Sequence, residues 1–198
     1  MEVWTSRAKE PFPIRYFSRE SVKTPASAGA AVEKEPSWKA KRAMFLFASV
    51  WTALVILTPF TVGPGSLDDL SGSVGTIDND FDDLNIIAKI VYLIGDLNCH
   101  TKVERSLELN GNQMAFCARD VGLFLGLSVG MAAVIVLEPR FRWILVIAMA
   151  APIVIDGTAQ LLFDYESNYI FRIITGAMGG SAAALFLGHV ADSVLRIR

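Results

Sequence analysis

The chain has 198 residues, 53% of them hydrophobic, a mean hydropathy of +0.43 and a formal net charge of −2. That apolar fraction lies above the roughly 45–50% of average usage, and the charges are segregated rather than mixed, which points to a small polytopic membrane protein. No dense basic run is interleaved with aromatics, which excludes nucleic acid as the main partner, and two cysteines are too few for a disulfide scaffold.

Residues 1–42 are polar, mixed in charge and broken by Pro11, Pro13, Pro25 and Pro36. They bury too little apolar surface to offset ordering and read as a disordered cytoplasmic tail, with no apolar run of the signal-peptide kind after the first charges. Residues 43–62 carry no charge and suffice for the roughly 20 residues a bilayer demands. Lys39, Lys41 and Arg42 stand before this span and Trp38 flanks it, so the N-terminus is expected inside.

Residues 63–85 hold Asp68, Asp69, Asp78, Asp80, Asp82 and Asp83 and no Lys or Arg, the pattern of a solvated outer loop. The run DNDFDD lacks the glycine and closing glutamate of a calcium loop, which makes calcium the weaker reading. Residues 86–97 (IIAKIVYLIGDL) are apolar but too short to cross, and predict a re-entrant or interfacial helix that delivers Asn98, Cys99 and His100. Residues 101–116 read as a polar linker.

A second span is expected over 117–137, entered through Cys117, Arg119 and Asp120. Gly122, Gly126 and Gly130 then line one stripe, the spacing that lets a second helix backbone approach closely in lipid. A third span over 143–163 carries Asp156 and Gln160 one turn apart. A fourth over 169–195 carries Arg172 and its own ladder of Gly176, Gly180 and Gly188, so the second and fourth spans are expected to pack together. In this topology 13 of the 18 Lys and Arg residues fall on the inner side, which places both termini in the cytoplasm of a multi-pass plasma-membrane protein. The expected fold is all-α: four transmembrane helices plus the short segment at 86–97.

This order gathers distant polar residues at the outer level. Cys99, His100, Cys117 and Asp120 make a two-sulfur, one-nitrogen, one-oxygen set suited to tetrahedral zinc. A Cys99–Cys117 disulfide and two buried thiols remain open alternatives. Arg105, Gln113, Arg119, Asp156, Gln160, Glu166, Asn168 and Arg172 form a polar pocket around them. An unpaired carboxylate in hydrocarbon costs about 3 kcal/mol even on the insertion scale, so Asp156 should have a partner, Arg172 or Arg119, or line a water-filled cavity. His189 stands apart as a core or interfacial histidine.

The run CH…ERS…NGNQMAFCARDVGLFLG, then IDGTAQ, then YESN, Arg172, Thr175 and Gly176, resembles the domain of unknown function 2085 family, predicted integral membrane proteins of archaea and bacteria. The resemblance covers about residues 97–180. It differs at Leu107, where the family pattern has phenylalanine, and at Asp120, which stands for the second cysteine of a Cys-x-x-Cys. That exchange breaks the Cys-x-x-Cys dithiol of the family pattern and keeps metal ligation open. The resemblance implies a membrane protein and brings no activity with it.

The leading expectation is therefore an integral membrane protein in the lipid bilayer with an outward-facing, structural zinc site. The alternatives are a small transporter or channel, a subunit of a larger membrane complex or homo-oligomer, and a metal-dependent hydrolase with Glu104 or Asp156 as base. No residue is assigned as catalytic.

Overall fold

A computed structural model describes residues 35–99, 102–163 and 167–195. The element order is α1 (Glu35–Leu57), α2 (Ile86–Asn98), β1 (Ser106–Leu109), β2 (Asn112–Cys117), α3 (Ala118–Leu137), α4 (Trp143–Phe163) and α5 (Tyr169–Leu195). Short 3-10 turns follow α1 at Thr58–Thr61 and precede β1 at Val103–Arg105. Four stretches are long and apolar enough to cross a membrane: Pro36–Thr61, Ala118–Leu137, Trp143–Phe163 and Tyr169–Leu195. Lipid contact follows, since Ile144, Ile147, Leu161 and Phe163 of α4 are each more than 60% exposed.

Two expectations need correction. The first helix starts at Glu35, so 35–42 are helical instead of belonging to a disordered tail; the rest of the expected tail, 1–34, lies outside the described residues. The fold is mostly helical, not all-α, because the supposed linker folds into an antiparallel hairpin with Leu109 opposite Asn112 and Glu108 opposite Gln113. The hairpin turns on Asn110 and Gly111, both at positive φ (58° and 71°), the backbone a two-residue turn of this hand requires. β2 is buried along nearly its whole length, covered on both faces, so it shows no in–out alternation.

The hairpin, α2 and the loop 63–85 form one cap at the end of the bundle. The acidic side chains of that loop are exposed as expected, but Leu67, Leu70 and Phe81 turn inward. They pack with Val91 and Tyr92 of α2 and Met114 and Phe116 of β2, and this core continues into the helices through Val55 and Val121. Asn112 accepts the Leu67 N–H and Gln113 accepts the Leu70 N–H, each at 3.1 Å. α2 lies against β2 so closely that a Cβ at Gly95 would meet the Ala115 carbonyl. Its opposite face, with Ile86, Ile87 and Ile90, is exposed.

Asp96, 1% exposed, holds the acidic loop in shape. Its carboxylate accepts the Asp78 N–H at 2.9 Å, the Asn79 N–H at 3.1 Å and the Asn79 side-chain amide at 2.8 Å. Asp96→Ala would strand these donors, each bond to a charged acceptor being worth about 1.5–3 kcal/mol. The expected result is faster proteolytic nicking within 71–80, read against an unchanged rate at the α3–α4 turn.

In the bundle, α3 and α5 are the closest pair. Cβ atoms at Gly122 and Gly126 would run into the carbonyls of Ile173 and Ala177, and Cβ atoms at Gly176 and Gly180 into those of Arg119 and Leu123. Gly130 faces Ser181 and Ala184, and Gly188 faces Val134. Ser181 donates across this seam to the Gly126 carbonyl at 3.1 Å. α1 joins α3 through the Thr52 and Ser128 hydroxyls at 3.0 Å. At the end away from the cap, Lys41 of α1 pairs with Asp192 of α5 at 2.7 Å. α4 differs from the rest, because Asp156 is its one buried residue.

Candidate functional site

Two polar groups lie at the junction of cap and bundle. The first is built where α2 ends and α3 begins. Cys99 caps the C-terminus of α2, donating its N–H to the Gly95 carbonyl at 2.8 Å, and its side chain is 6% exposed. Cys117 ends β2 and caps the N-terminus of α3, whose first turn carries Asp120. A carboxylate there is favoured by the exposed N–H groups of the helix start. The Cys117 N–H points at Cys99 Sγ at 3.3 Å, and the Cys117 thiol donates to Asp120 Oδ2 at 3.3 Å. The two sulfurs and the carboxylate oxygen lie within 4.8 Å of one another, close enough to share one cation. Both cysteines are free thiols.

The thiols are unequal. A hydrogen bond between the two thiol side chains pushes the Cys99 thiol far above the ordinary range, with burial adding to it and the Cys117 backbone N–H opposing it. The same bond draws Cys117 below that range, against the opposing effect of burial.

The second group links α3, α4 and α5. Arg119 Nη2 donates to Asp156 Oδ2 at 2.5 Å. Gln160 reaches both Asp156 oxygens at 3.3 Å and donates to Ser167 Oγ at 2.6 Å. Arg172 Nε donates to the Ser167 carbonyl at 2.9 Å and lies 3.2 Å from its hydroxyl. Arg119, not Arg172, is thus the ion-pair partner of Asp156. A Cβ at Gly157 would lie 3.6 Å from Arg119 Nη1, so the small residue beside Asp156 leaves room for the guanidinium. Arg119 Nε and Arg172 Nη2 are buried without a hydrogen-bond partner among the described residues, which gives the network spare donor capacity.

The remaining expected site residues divide. Asn168 caps α5, accepting the Phe171 N–H at 2.8 Å. Gln113 is drawn away into the cap, bound to Leu70, and takes no part in the Asp156 network. Arg105 sits in the turn before β1 and has a partner of its own. His100 and Glu166 lie outside the described residues. Sequence reasoning passed over Ser167, a small hydroxyl in a polar turn, and Asp96, the lone acid of an apolar segment. The latter was signal enough, since a buried acid must be satisfied.

A family model described as "Predicted membrane protein (DUF2085)" matches residues 99–186, the stretch that contains both polar groups. An uncharacterised protein of Methanocaldococcus jannaschii is 33% identical over 111 residues, covering 51% of this chain and 68% of the relative. The chain belongs to the DUF2085 family. A second DUF2085-like relative, an uncharacterised protein of Methanothermobacter thermautotrophicus, is 28% identical over 102 residues, covering 50% of this chain and 92% of the relative. No solved structure matches the chain. The DUF2085 match begins at Cys99 and ends at Phe186, so it takes in the thiol that ends α2, the hairpin, α3, α4 and most of α5, and leaves α1, the acidic loop and α2 unmatched.

Proposed function

We infer that this membrane protein holds a structural zinc ion between Cys99, Cys117 and Asp120, where it fastens the cap to the first turn of α3. The observation that carries the reading is the convergence of two thiols and a carboxylate, from segments 18 residues apart, within 4.8 Å. Sulfur donors select zinc over the hard cations, and zinc accepts an aspartate oxygen beside two thiolates. A fourth ligand completes a tetrahedron, and His100, next in sequence to Cys99, is the residue proposed for it. A metal held by four protein ligands leaves no open position for water, so the role is to join two parts of the fold rather than to run a reaction.

The proposed setting is the plasma membrane, with the cap outside and both ends of the described chain inside. Lys39, Lys41, Arg42, Arg140 and Arg142 gather at the end of the bundle opposite the acidic loop, and that asymmetry supports the orientation. The apolar face of α2 at Ile86, Ile87 and Ile90 supports an interfacial helix rather than a re-entrant one.

Metal analysis of protein purified without chelator should return about one zinc per chain, and Cys117→Ser should lose it. Removing zinc from the native protein should lower the thermal midpoint and expose the cap to protease. A thiol count separates the competing chemistry. Two thiols that react with a maleimide only after reduction mean a disulfide and sink the metal reading. Two that react only after chelation support it.

A further inference from the structure

The second candidate site lies at the other end of the bundle, where α1 begins, α3 turns into α4 and α5 ends. A cavity of about 760 Å³ opens there, within the roughly 300–1,000 Å³ range of small-ligand pockets. One wall is apolar, formed by Trp38, Val134, Leu185 and Phe141. The Phe141 ring is stacked on His189 with centroids 3.8 Å apart and planes 8° from parallel, which fixes the imidazole at the rim.

The charged groups around the cavity are not equally available. Lys41 is committed to Asp192 at 2.7 Å, and Glu138, which also lines the cavity, is engaged as well. Arg140 is exposed and carries no hydrogen bond or ion pair among the described residues. His189 Nε2 lies 3.5 Å from the Ser193 hydroxyl, so the Arg140 guanidinium is the uncommitted charged group of the cavity. A guanidinium offers paired N–H donors that match the paired oxygens of a phosphate.

We propose that this cavity binds a phospholipid of the adjoining leaflet, its phosphate held by Arg140 and one acyl chain laid along Trp38, Val134 and Leu185. Two observations select a lipid over a free phosphate. The apolar wall needs an apolar partner to cover it, and the cavity sits at the level where the spanning helices α1, α3 and α5 meet their end turns.

The test uses the full chain in detergent, with bound lipids counted by native mass spectrometry during titration. Dioleoyl phosphatidylglycerol should bind at least tenfold more tightly than dioleoylglycerol, which has the same chains and no phosphate. Arg140→Gln should erase that difference, and Arg140→Lys should keep most of it. Ser193→Phe, which fills the cavity from an exposed rim position, should weaken both lipids. Because Arg140 and Ser193 are exposed, unchanged thermal midpoints are expected and check the fold. Equal binding of the two lipids, an Arg140→Gln variant indistinguishable from the native chain, or displacement of the lipid by inorganic phosphate alone would each overturn the proposal.

Discussion

Asp156→Ala is expected to destabilise the bundle by about 3 kcal/mol, the lower end of what removing one member of a buried ion pair costs. The lower end applies because the Arg119 side chain keeps 21% of its exposure, against 1% for Asp156, and water relieves part of the stranded charge. The damage should be local. Asp156 is the one buried residue of α4, so this helix is held by an ionic clasp to α3 and by its flank against α5, where Ile153 meets Gly179. Thermal unfolding in detergent should show the loss, and limited proteolysis should release α4 first. The double variant Arg119→Met, Asp156→Leu separates clasp from charge burial. Exchanging both partners for apolar side chains removes the desolvation cost and should regain most of the stability. A single variant as stable as the native chain would show that α4 is fastened by something other than this pair.

The second large effect is expected at the helix seam. A Cβ at Gly126 would lie 2.6 Å from both the Cα and the carbonyl carbon of Ala177, backbone atoms that cannot swing aside. Gly126→Leu must therefore part α3 from α5, break the Ser181 bond to the Gly126 carbonyl and give up contacts along the seam. Overpacking usually costs about 1–3 kcal/mol, and a clash with backbone belongs at or beyond the top of that range. Gly63→Ala is the matched control, because nothing lies within 4 Å of the added methyl, and its effect should stay within about 0.5 kcal/mol. Equal midpoints for the two variants would mean that the seam is looser than drawn.

Both experiments concern features whose residues were legible before any coordinates. Glycines every fourth residue on two apolar runs leave few alternatives to a close helix pair. A lone carboxylate in a span must have a partner, although which of two arginines provides it depended on where the turn before α5 puts Ser167. Arg172 turns its Nε to Ser167 in that turn, and Arg119 takes the acid. The hairpin is a different kind of miss. The Asn110–Gly111 dipeptide is a strong hairpin signal, and the polar look of 101–116 concealed it. Polarity misled because Asn112 and Gln113 are buried while spending their side chains on the backbone of the acidic loop.

Chain sequence by itself determined the four spans, the glycine seam and the coming together of thiol and carboxylate at the head of α3. Hydropathy and helical periodicity are local properties, and a bilayer turns them directly into structure. Only the tertiary structure decided that the cap is a packed unit with Asp96 at its centre, that Asp156 pairs with Arg119, and that a cavity with an uncommitted guanidinium opens at the far end. These depend on which distant donors meet which acceptors once the helices are in contact. No local pattern in the chain encodes such a meeting.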